Sequence, residues 1–240
     1  MGDFKENFQD YRKKLIQETK KKIKESVNAD NFIIQSIRNI DEISKVSNVL
    51  IKRFREWYEL YNPEFSRQVR DHKKFIELIL EKKDKKEKNS MGADISKKDL
   101  EPVMKLASEI NELYKSKAKQ EEYLAELMQR TCPNLTAVAG YLIGAKLIAL
   151  AGNLKKLVEF PSSTIQLLGA EKALFRHMRT GAKAPKHGII HEHPIVSKAK
   201  EKGKAARAVA DKISLAVKVD YFKGKFIGDK LRKELEEKFK

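Results

Sequence analysis

The most informative segment of the chain reads GAEKALFRHMRTGAKAPKHGIIHEHPIV and runs from Gly169 to Val196. In its first half the apolar residues recur at helical spacing, so that Leu174 and Met178 share one face. Its second half is polar, contains Pro185 and Gly188, and is long enough to form a functional loop. The segment therefore predicts an amphipathic helix followed by a semi-rigid loop.

A row of basic residues follows another face of this predicted helix. It recurs at i, i+4, i+7 and i+11 and consists of Lys172, Arg176, Arg179 and Lys183. Gly181 can adopt the left-handed conformation that closes a helix, and we expect Phe175 and Met178 to pack in the core. A cationic helix face beside a loop with lysine and histidine suits phosphates and unpaired bases. A solvated basic helix followed by a connector has the same spacing, so spacing alone leaves both interpretations open.

The whole chain is strongly basic. Its 240 residues include 51 lysines and arginines against 34 acidic residues, which gives a net charge of +17. This excess favours a polyanionic partner such as nucleic acid. The Lys- and Glu-rich surfaces of heat-adapted proteins explain many charges of both signs but not an excess of one sign. Because 41% of the residues are hydrophobic, the chain can bury a core and is not a disordered basic tail.

Cysteine content and hydropathy predict an intracellular protein that does not enter a membrane. Cys132 is the single cysteine of the sequence, which excludes an internal disulfide framework and a CxxC metal site. Residues 1–30 lack a signal-peptide core, and no apolar run reaches ~18 residues. The longest apolar stretch, from Leu135 to Leu154, contains Lys146 and several glycines and predicts one buried helix.

The N-terminal half predicts long helices that pair with each other. Asn62 and Pro63 can cap and start one helix, and the polar run from Glu81 to Asn89 predicts a solvated tip. Ser96 and Asp99 resemble a capping box. The apolar seam of the helix that follows includes Val103, Ile110, Leu113, Leu124 and Leu127. We expect an antiparallel coiled-coil hairpin over about residues 66–130, which could pair with a second copy of the chain through this seam.

Composition changes after Thr131, where small residues become frequent. We therefore predict a helical region over residues 1–131, with the hairpin as a projecting arm, and a compact helical domain over residues 132–240. Period-2 alternation is absent except weakly at Ile189–Ile190. The sequence thus predicts an all-α fold.

A cluster of histidines raises the possibility of metal binding. Four of the five histidines lie within 17 residues, from His177 to His193. Glu192 is the only adjacent carboxylate, no cysteine is near, and the spacing is not H-E-x-x-H. The sequence also lacks a Walker loop, a G-x-G-x-x-G motif and a G-x-S-x-G motif. We therefore predict no metal, no cofactor and no intrinsic enzyme activity.

Six runs of residues carry a resemblance to a known family. They are PSSTIQLLG (161–169), GAEKALFRHMRTG (169–181), REWYELYNPEFS (55–66), MGADIS (91–96), PNLTAVAGYLIGAKLIALAG (133–152) and GKAARAVADKISLAVKVDYF (203–222). Together they resemble the Nop-domain family, which comprises the box C/D ribonucleoprotein scaffolds and a spliceosomal relative. The runs cover nearly all of the chain in the family's order, and the later ones are most similar to the archaeal branch.

The resemblance implies particular site residues. In this family the Nop domain recognises a composite surface, made jointly by a kink-turn RNA and the small protein already bound to it. Carried over by position, RNA contact is implied for Gln166, Lys172, Arg176, Arg179, Lys183, Lys186, His187 and Arg207. We expect Gln166 on the same helix as Lys172. The family's coiled coil mediates self-association, which matches the predicted hairpin.

The resemblance also implies a function and partners. It indicates a non-catalytic scaffold of a box C/D small ribonucleoprotein that guides RNA 2′-O-methylation, cytoplasmic in an archaeon and nucleolar in a eukaryote. The implied partners are guide RNA, the kink-turn-binding protein and a second copy. Family members also hold the methyltransferase fibrillarin through an N-terminal α/β domain. Nothing before Phe4 could form that domain, so we expect a truncated chain, for which the case for fibrillarin binding is weaker. A spliceosomal scaffold and a nonspecific basic nucleic-acid-compacting protein are the alternatives.

Overall fold

The computed structural model of the chain confirms the all-α prediction, since no strand occurs in residues 2–87 and 89–239, which are the residues that the structure describes. Of residues 2–7 only the backbone is described, and Lys88, in the predicted tip, lies outside the described residues. The helices are α1 (Gly2–Glu25), α2 (Ala29–Tyr58), α3 (Pro63–Gln68), α4 (His72–Leu80), α5 (Lys97–Thr131), α6 (Pro133–Ala139), α7 (Tyr141–Ala151), α8 (Leu154–Glu159), α9 (Ser162–Leu167), α10 (Glu171–Thr180), α11 (Pro194–Lys198), α12 (Lys202–Tyr221) and α13 (Gly228–Lys238). A short 3₁₀ helix, Ile189–Glu192, precedes α11.

The chain folds into two compact units. The first unit is Ser36–Glu126, and the second consists of the described residues of Met1–Gln35 and Leu127–Lys240. The first unit therefore ends close to the boundary that we predicted after Thr131. Residues 1–35, which we placed in the N-terminal region, group with the second unit instead. Separate roles for the two regions stay a prediction.

Aromatic side chains build the core of the first unit. Phe54, Tyr58 and Phe75 are fully buried, and their ring centroids lie 5.4 to 5.8 Å apart. The rings share a core with Val103 and Ile110 of α5. Such aromatic clusters contribute packing energy beyond the area that they bury, so this cluster joins α2 and α4 to the start of α5.

Arg55 fixes the turn between α3 and α4. Its guanidinium donates hydrogen bonds to the carbonyl oxygens of Ser66 (2.8 Å) and Val69 (2.6 Å) and to Nδ1 of His72 (2.9 Å). It also lies 4.1 Å from the centroid of the Phe75 ring. Burial, together with the charge of Arg55, lowers the pKa of His72, which keeps Nδ1 available as an acceptor. One side chain of α2 thereby provides hydrogen-bond donors for the backbone carbonyl groups of the turn.

Most of the residues predicted for self-association are buried inside the single chain. Val103, Ile110, Leu124 and Leu127 are at most 3% exposed, and Leu113 is half-buried. The paired helices are also unequal, since α4 has 9 residues and α5 has 35. Val103 and Ile110 instead share a core with α2, α3 and α4. Self-association through the arm stays a prediction, and Leu113 is the accessible member of the predicted set.

The second unit is organised around α12. This helix packs against α6, α8, α9, α11 and α13. Ala205, Ala206 and Ala210 are fully buried on it, and their small side chains let neighbouring helices approach closely. Because α12 is surrounded in this way, residues at its two ends are held in fixed positions relative to the rest of the unit.

The stretch from Leu135 to Leu154 does not form the single helix that we predicted. Gly140 has φ +80°, a conformation that favours glycine, and it separates α6 from α7. No single helix among the described residues is long and apolar enough to cross a membrane; α6 and α7 taken together meet those two criteria, but they are bent by 113°.

His193 is a buried histidine held in its neutral form. Its Nε2 lies 3.0 Å from the carbonyl oxygen of Val138, and its Nδ1 accepts a hydrogen bond from the backbone N–H of Ile195 at 3.3 Å. Only the neutral tautomer with its proton on Nε2 makes both contacts. Burial lowers the pKa of His193, in agreement with this assignment.

We expect this histidine to make stability depend on pH. Since the folded-state pKa is lowered, the unfolded chain binds more protons once the pH falls below the ordinary value of about 6.5. Stability is therefore full above about pH 7 and is lost as the pH falls from there towards the folded-state pKa. A His193→Gln variant, in which the amide can still donate to Val138, should lose less Tm than the wild type on acidification. An equal loss of Tm in both proteins would contradict the assignment, because the pH dependence would then come from groups that both proteins keep, such as His72 and His187.

Candidate nucleic-acid interface

A helix break that we did not predict from the sequence lies at Gly169, where the segment Gly169–Val196 begins. The helix α9 ends at Leu167, and Gly169, with φ +86°, turns the chain before α10 begins at Glu171. A residue with a Cβ would be strained at that φ. Gln166 therefore lies on α9, and our expectation that it shares a helix with Lys172 is wrong.

The helix α10 carries most of the predicted cationic face. Lys172, Arg176 and Arg179 are exposed, and their spacing of four and three residues places them on one side of the helix; we call these three residues the cationic strip. Gly181, with φ +68°, ends the helix in the left-handed conformation as predicted. Lys183 follows this cap and is exposed in the loop, so the predicted continuation of the helical row to Lys183 is wrong.

A second exposed side of α10 is apolar. Phe175 is 63% exposed and Met178 is 71% exposed, so the prediction that both pack in the core is wrong. We call these two residues the apolar strip. Ala173, Leu174 and His177 are half-buried and form the inner side of the helix, which has no buried residue. At 100° per residue, the apolar strip lies directly beside the cationic strip.

The loop after α10 is anchored at its far end by α9. The backbone N–H of Gly188 donates to the carbonyl oxygen of Gln166, and that of Ile189 donates to the carbonyl oxygen of Leu168, both at 2.7 Å. Nε2 of Gln166 donates to the carbonyl oxygen of Lys186 at 2.6 Å. A Cβ at Gly188 would lie 1.8 Å from the Leu168 oxygen, so only glycine fits there. Gln166 thus helps to position the loop that carries Lys186.

Two open clefts lie at the N-terminal end of α12. The first, of about 530 Å³, is lined by Lys186, His187, Lys200, Glu201, Lys202, Gly203 and Lys204. The second, of about 760 Å³, is lined by Lys198, Ala199, Lys200, Glu201, Lys204, Arg207, Ala208, Asp211, Lys238 and Phe239. Because the two clefts share Lys200, Glu201 and Lys204, they form one continuous basic surface from the loop tip to Arg207. We call this surface the α12 clefts.

The lysines just before α12 and in its first turn were not among the contact residues that we predicted from the sequence. The alternating run KAKEKGK from Lys198 to Lys204 was the signal available in the sequence. Only the fold shows that this run lies beside the loop. Within the described residues, Lys204 is the only cation of the cationic strip, the loop after α10 and the α12 clefts that makes an ion pair. Its Nζ lies 2.6 Å from Oε2 of Glu201. The others carry unpaired positive charge, as a surface that binds phosphates requires.

His187 stacks on His191, with ring centroids 5.8 Å apart. Burial lowers the pKa of His187, and the neighbouring His191 and Lys202 lower it further. The ring is therefore neutral at neutral pH and can offer a hydrogen-bond acceptor as well as a flat face. Within the part of the chain that the structure describes, no group of three or more His, Cys, Asp or Glu side chains is placed to hold a metal ion.

Comparison with known proteins points to one family. The family model Nop, described as "snoRNA binding domain, fibrillarin", matches residues 39–240. A NOP5 family protein of Methanocaldococcus jannaschii is 40% identical over 95% of this chain and 62% of its own length. Nucleolar protein 56 of Dictyostelium discoideum is 39% identical over 85% of this chain and 43% of its own length. The chain thus spans less than two thirds of the length of these relatives.

A structural neighbour supports the fold. The crystal structure of a fibrillarin/Nop5p complex contains a chain that matches with a TM-score of 0.58 at 23% identity, over 97% of this chain and 77% of that one. At this level of identity the match bears on the fold alone. It agrees with the helical architecture described above.

Proposed function

Because the chain belongs to the Nop family, we propose that it is a non-catalytic scaffold of a box C/D small ribonucleoprotein, and that it binds a kink-turn RNA together with the protein already bound to that RNA. In the particle it would help to place a separate methyltransferase on guide-directed target RNA. The guide RNA, the kink-turn-binding protein and a second copy of the chain are the proposed partners.

The observation that carries this proposal is the surface of α10. The helix has no buried residue, and its cationic strip lies directly beside two large exposed apolar side chains, Phe175 and Met178. A ligand made only of nucleic acid would need the cationic strip, and a protein ligand would favour the apolar strip. A composite of RNA and protein accounts for both strips on one short helix.

The proposed contacts divide by chemistry. Lys172, Arg176 and Arg179 on α10, and Arg207 in the α12 clefts, would neutralise phosphates, with Lys183 as a further cation in the loop. Lys186 and His187 stand at the loop tip, which can reach bases that are splayed out of a folded RNA. Gln166 would act chiefly by holding that tip in place through its hydrogen bond to Lys186.

The other partners follow from the family and not from a described contact. Self-association would need accessible side chains of the arm such as Leu113, because the other four seam residues are buried. Fibrillarin is the protein named with a relative in the matched crystal structure, and binding to it is a proposal for the longer family members. The location would be the cytoplasm in an archaeon and the nucleolus in a eukaryote.

The proposal is tested by titrating the full chain with labelled nucleic acids of equal length. The ligands are duplex DNA, duplex RNA and a kink-turn RNA, each with and without the kink-turn-binding protein. We expect that protein to tighten binding of the kink-turn RNA by about tenfold or more, equivalent to ~1.4 kcal/mol, and to leave both duplexes unaffected. A scrambled RNA that cannot form the kink serves as the matched control.

The outcomes of this titration also separate the alternatives. Equal affinity for all ligands, unchanged by the added protein, would indicate a nonspecific nucleic-acid-compacting protein and would sink the proposal. A strong preference for a spliceosomal kink-turn RNA over a box C/D guide RNA would indicate the spliceosomal type of scaffold.

A further inference from the structure

The turn that follows α12 displays aromatic and basic side chains far from the surface described above. Residues 221–226 read YFKGKF, and we call them the aromatic turn. Phe222 is 73% exposed, Phe226 is 51% exposed and Tyr221 is 38% exposed. Arg207 of α12 lies 15 residues before Phe222, which directly follows that helix, and this separation corresponds to roughly 22 Å along the helix axis.

The backbone of the aromatic turn is tightly closed. The N–H of Gly224 donates to the carbonyl oxygen of Val219 at 2.8 Å, and the N–H of Lys223 donates to that of Asp220 at 3.2 Å. Lys223 has φ +54°, the left-handed conformation in which helices commonly end. Two aromatic residues follow one another at this closure, and the rings of Tyr221 and Phe222 make an edge-to-face pair with centroids 5.2 Å apart.

One buried residue holds both ends of the aromatic turn. Asn134 is 1% exposed, and its backbone N–H and its Nδ2 donate to Oδ1 of Asp220 at 3.1 and 2.7 Å. Its Oδ1 accepts a hydrogen bond from the N–H of Ile227 at 2.7 Å. Asp220 also accepts from the N–H of Leu135 at 2.8 Å. The exposed rings therefore stand on a fixed frame, so that a ligand would lose little free energy in ordering them.

The charge of the aromatic turn indicates the chemistry of the ligand. Lys218, Lys223 and Lys225 lie on or beside it, and none of them makes an ion pair with the described residues. The adjacent carboxylate, Asp220, is already engaged by three N–H groups. Exposed rings interleaved with unpaired lysines match sites where bases stack on aromatic side chains while cations neutralise the phosphates.

We propose that the aromatic turn is a second RNA-binding site, which takes unpaired nucleotides of a single strand by stacking their bases on Phe222 and Phe226. Lys223 and Lys225 neutralise the phosphates beside the stacked bases. This site does not depend on the kink-turn proposal, because it lies at the other end of α12 and uses none of the residues named there. An apolar protein partner would use the rings but gives no reason for three unpaired lysines around them.

The test measures binding of a fluorescent 12-nucleotide oligouridine to the full chain by anisotropy. We expect Phe222→Ala to weaken binding by roughly tenfold, and Phe222→Trp to restore it because the indole also stacks. Leu215→Ala, at another exposed apolar residue of α12 (47% exposed), is the matched control and should leave binding unchanged. Since Phe222 is highly exposed, all variants should keep the wild-type Tm.

The outcomes distinguish this site from the α10 surface and from a protein-binding role. The ratio of wild-type to Phe222→Ala affinity should be the same in an Arg179→Ala background, because distant sites act additively. Unchanged oligouridine binding by Phe222→Ala would overturn the proposal. If that variant also no longer associated with a second copy of the chain, the aromatic turn would be a protein-binding surface instead.

Discussion

Replacing both Arg179 and Arg207 by alanine is expected to weaken binding to the complex of kink-turn RNA and its protein by on the order of 100-fold. Hydrogen bonds to charged groups contribute about 1.5–3 kcal/mol each, and every 1.4 kcal/mol is about tenfold in affinity. The two residues come from α10 and from the α12 clefts, so the variant removes one contact from each part of the proposed surface. Anisotropy titration at constant salt measures the change.

The salt dependence gives this variant a second readout. Each lost phosphate contact should reduce the slope of log K against log[salt] by about 1, so the double variant should lose about 2. Lys155→Ala/Lys156→Ala is the matched control, because both lysines are exposed on α8 and the pair removes the same charge. If the control weakens binding as much as the test variant, the effect is one of total charge, and the assignment of Arg179 and Arg207 is contradicted.

Replacing Ile110 by aspartate is expected to unfold the first unit. Ile110 is fully buried and shares a core with Phe54 and Phe75. A carboxylate at this position has no partner, and we expect a loss of about 4 kcal/mol or more in the free energy of unfolding. Urea denaturation monitored by circular dichroism measures the loss, and Lys119→Asp, at an exposed position of the same helix, is the control.

The same variant separates folding from self-association. The apolar seam of α5 alone suggests that Ile110→Asp disrupts a dimer while the monomer stays folded. The burial of this residue predicts that any loss of association accompanies unfolding. A variant that keeps the wild-type unfolding curve and elutes only as a monomer would show that Ile110 faces a second copy.

Local backbone chemistry was predicted well because it depends on adjacent residues. Asn62 accepts from the N–H of Phe65 at 3.3 Å, with Pro63 in the first turn of α3, and Ser96 accepts from the N–H of Asp99 at 3.3 Å before α5. These caps follow from side chains that lie within three residues of the groups that they satisfy. The exposed row of Lys172, Arg176 and Arg179 follows in the same way from the helical period.

The helix breaks and the burial of apolar residues could not be predicted in this way. Gly140 and Gly169 are compatible with a continuous helix or with a break, and the residues around them in the sequence do not distinguish the two. Apolar periodicity predicts that one face of a helix is shielded from water, but it does not show which residues pack against that face. It therefore suggested that Met178 is buried, although Met178 is exposed. For Ile110 it did not distinguish a second copy from the chain's own core, in which Ile110 is buried.

In the candidate site, the position of the loop after α10 also could not be predicted from the sequence. The sequence indicated that Lys186 and His187 are near the cationic helix, but the hydrogen bond from Gln166 to Lys186 joins residues 20 positions apart. The lysines at 200, 202 and 204 come next to the loop tip only because α12 packs beside it. Long-range placement of this kind depends on the whole fold.

We propose above that α10 contacts RNA through its cationic strip and protein through its apolar strip. The most direct measurement is crosslinking from a benzophenone amino acid placed at position 176 in one variant and at position 178 in another, in the complex with kink-turn RNA and its protein. We predict that position 176 crosslinks to RNA and that position 178 crosslinks to the kink-turn-binding protein. Absence of both crosslinks in a fully assembled complex would contradict the claim.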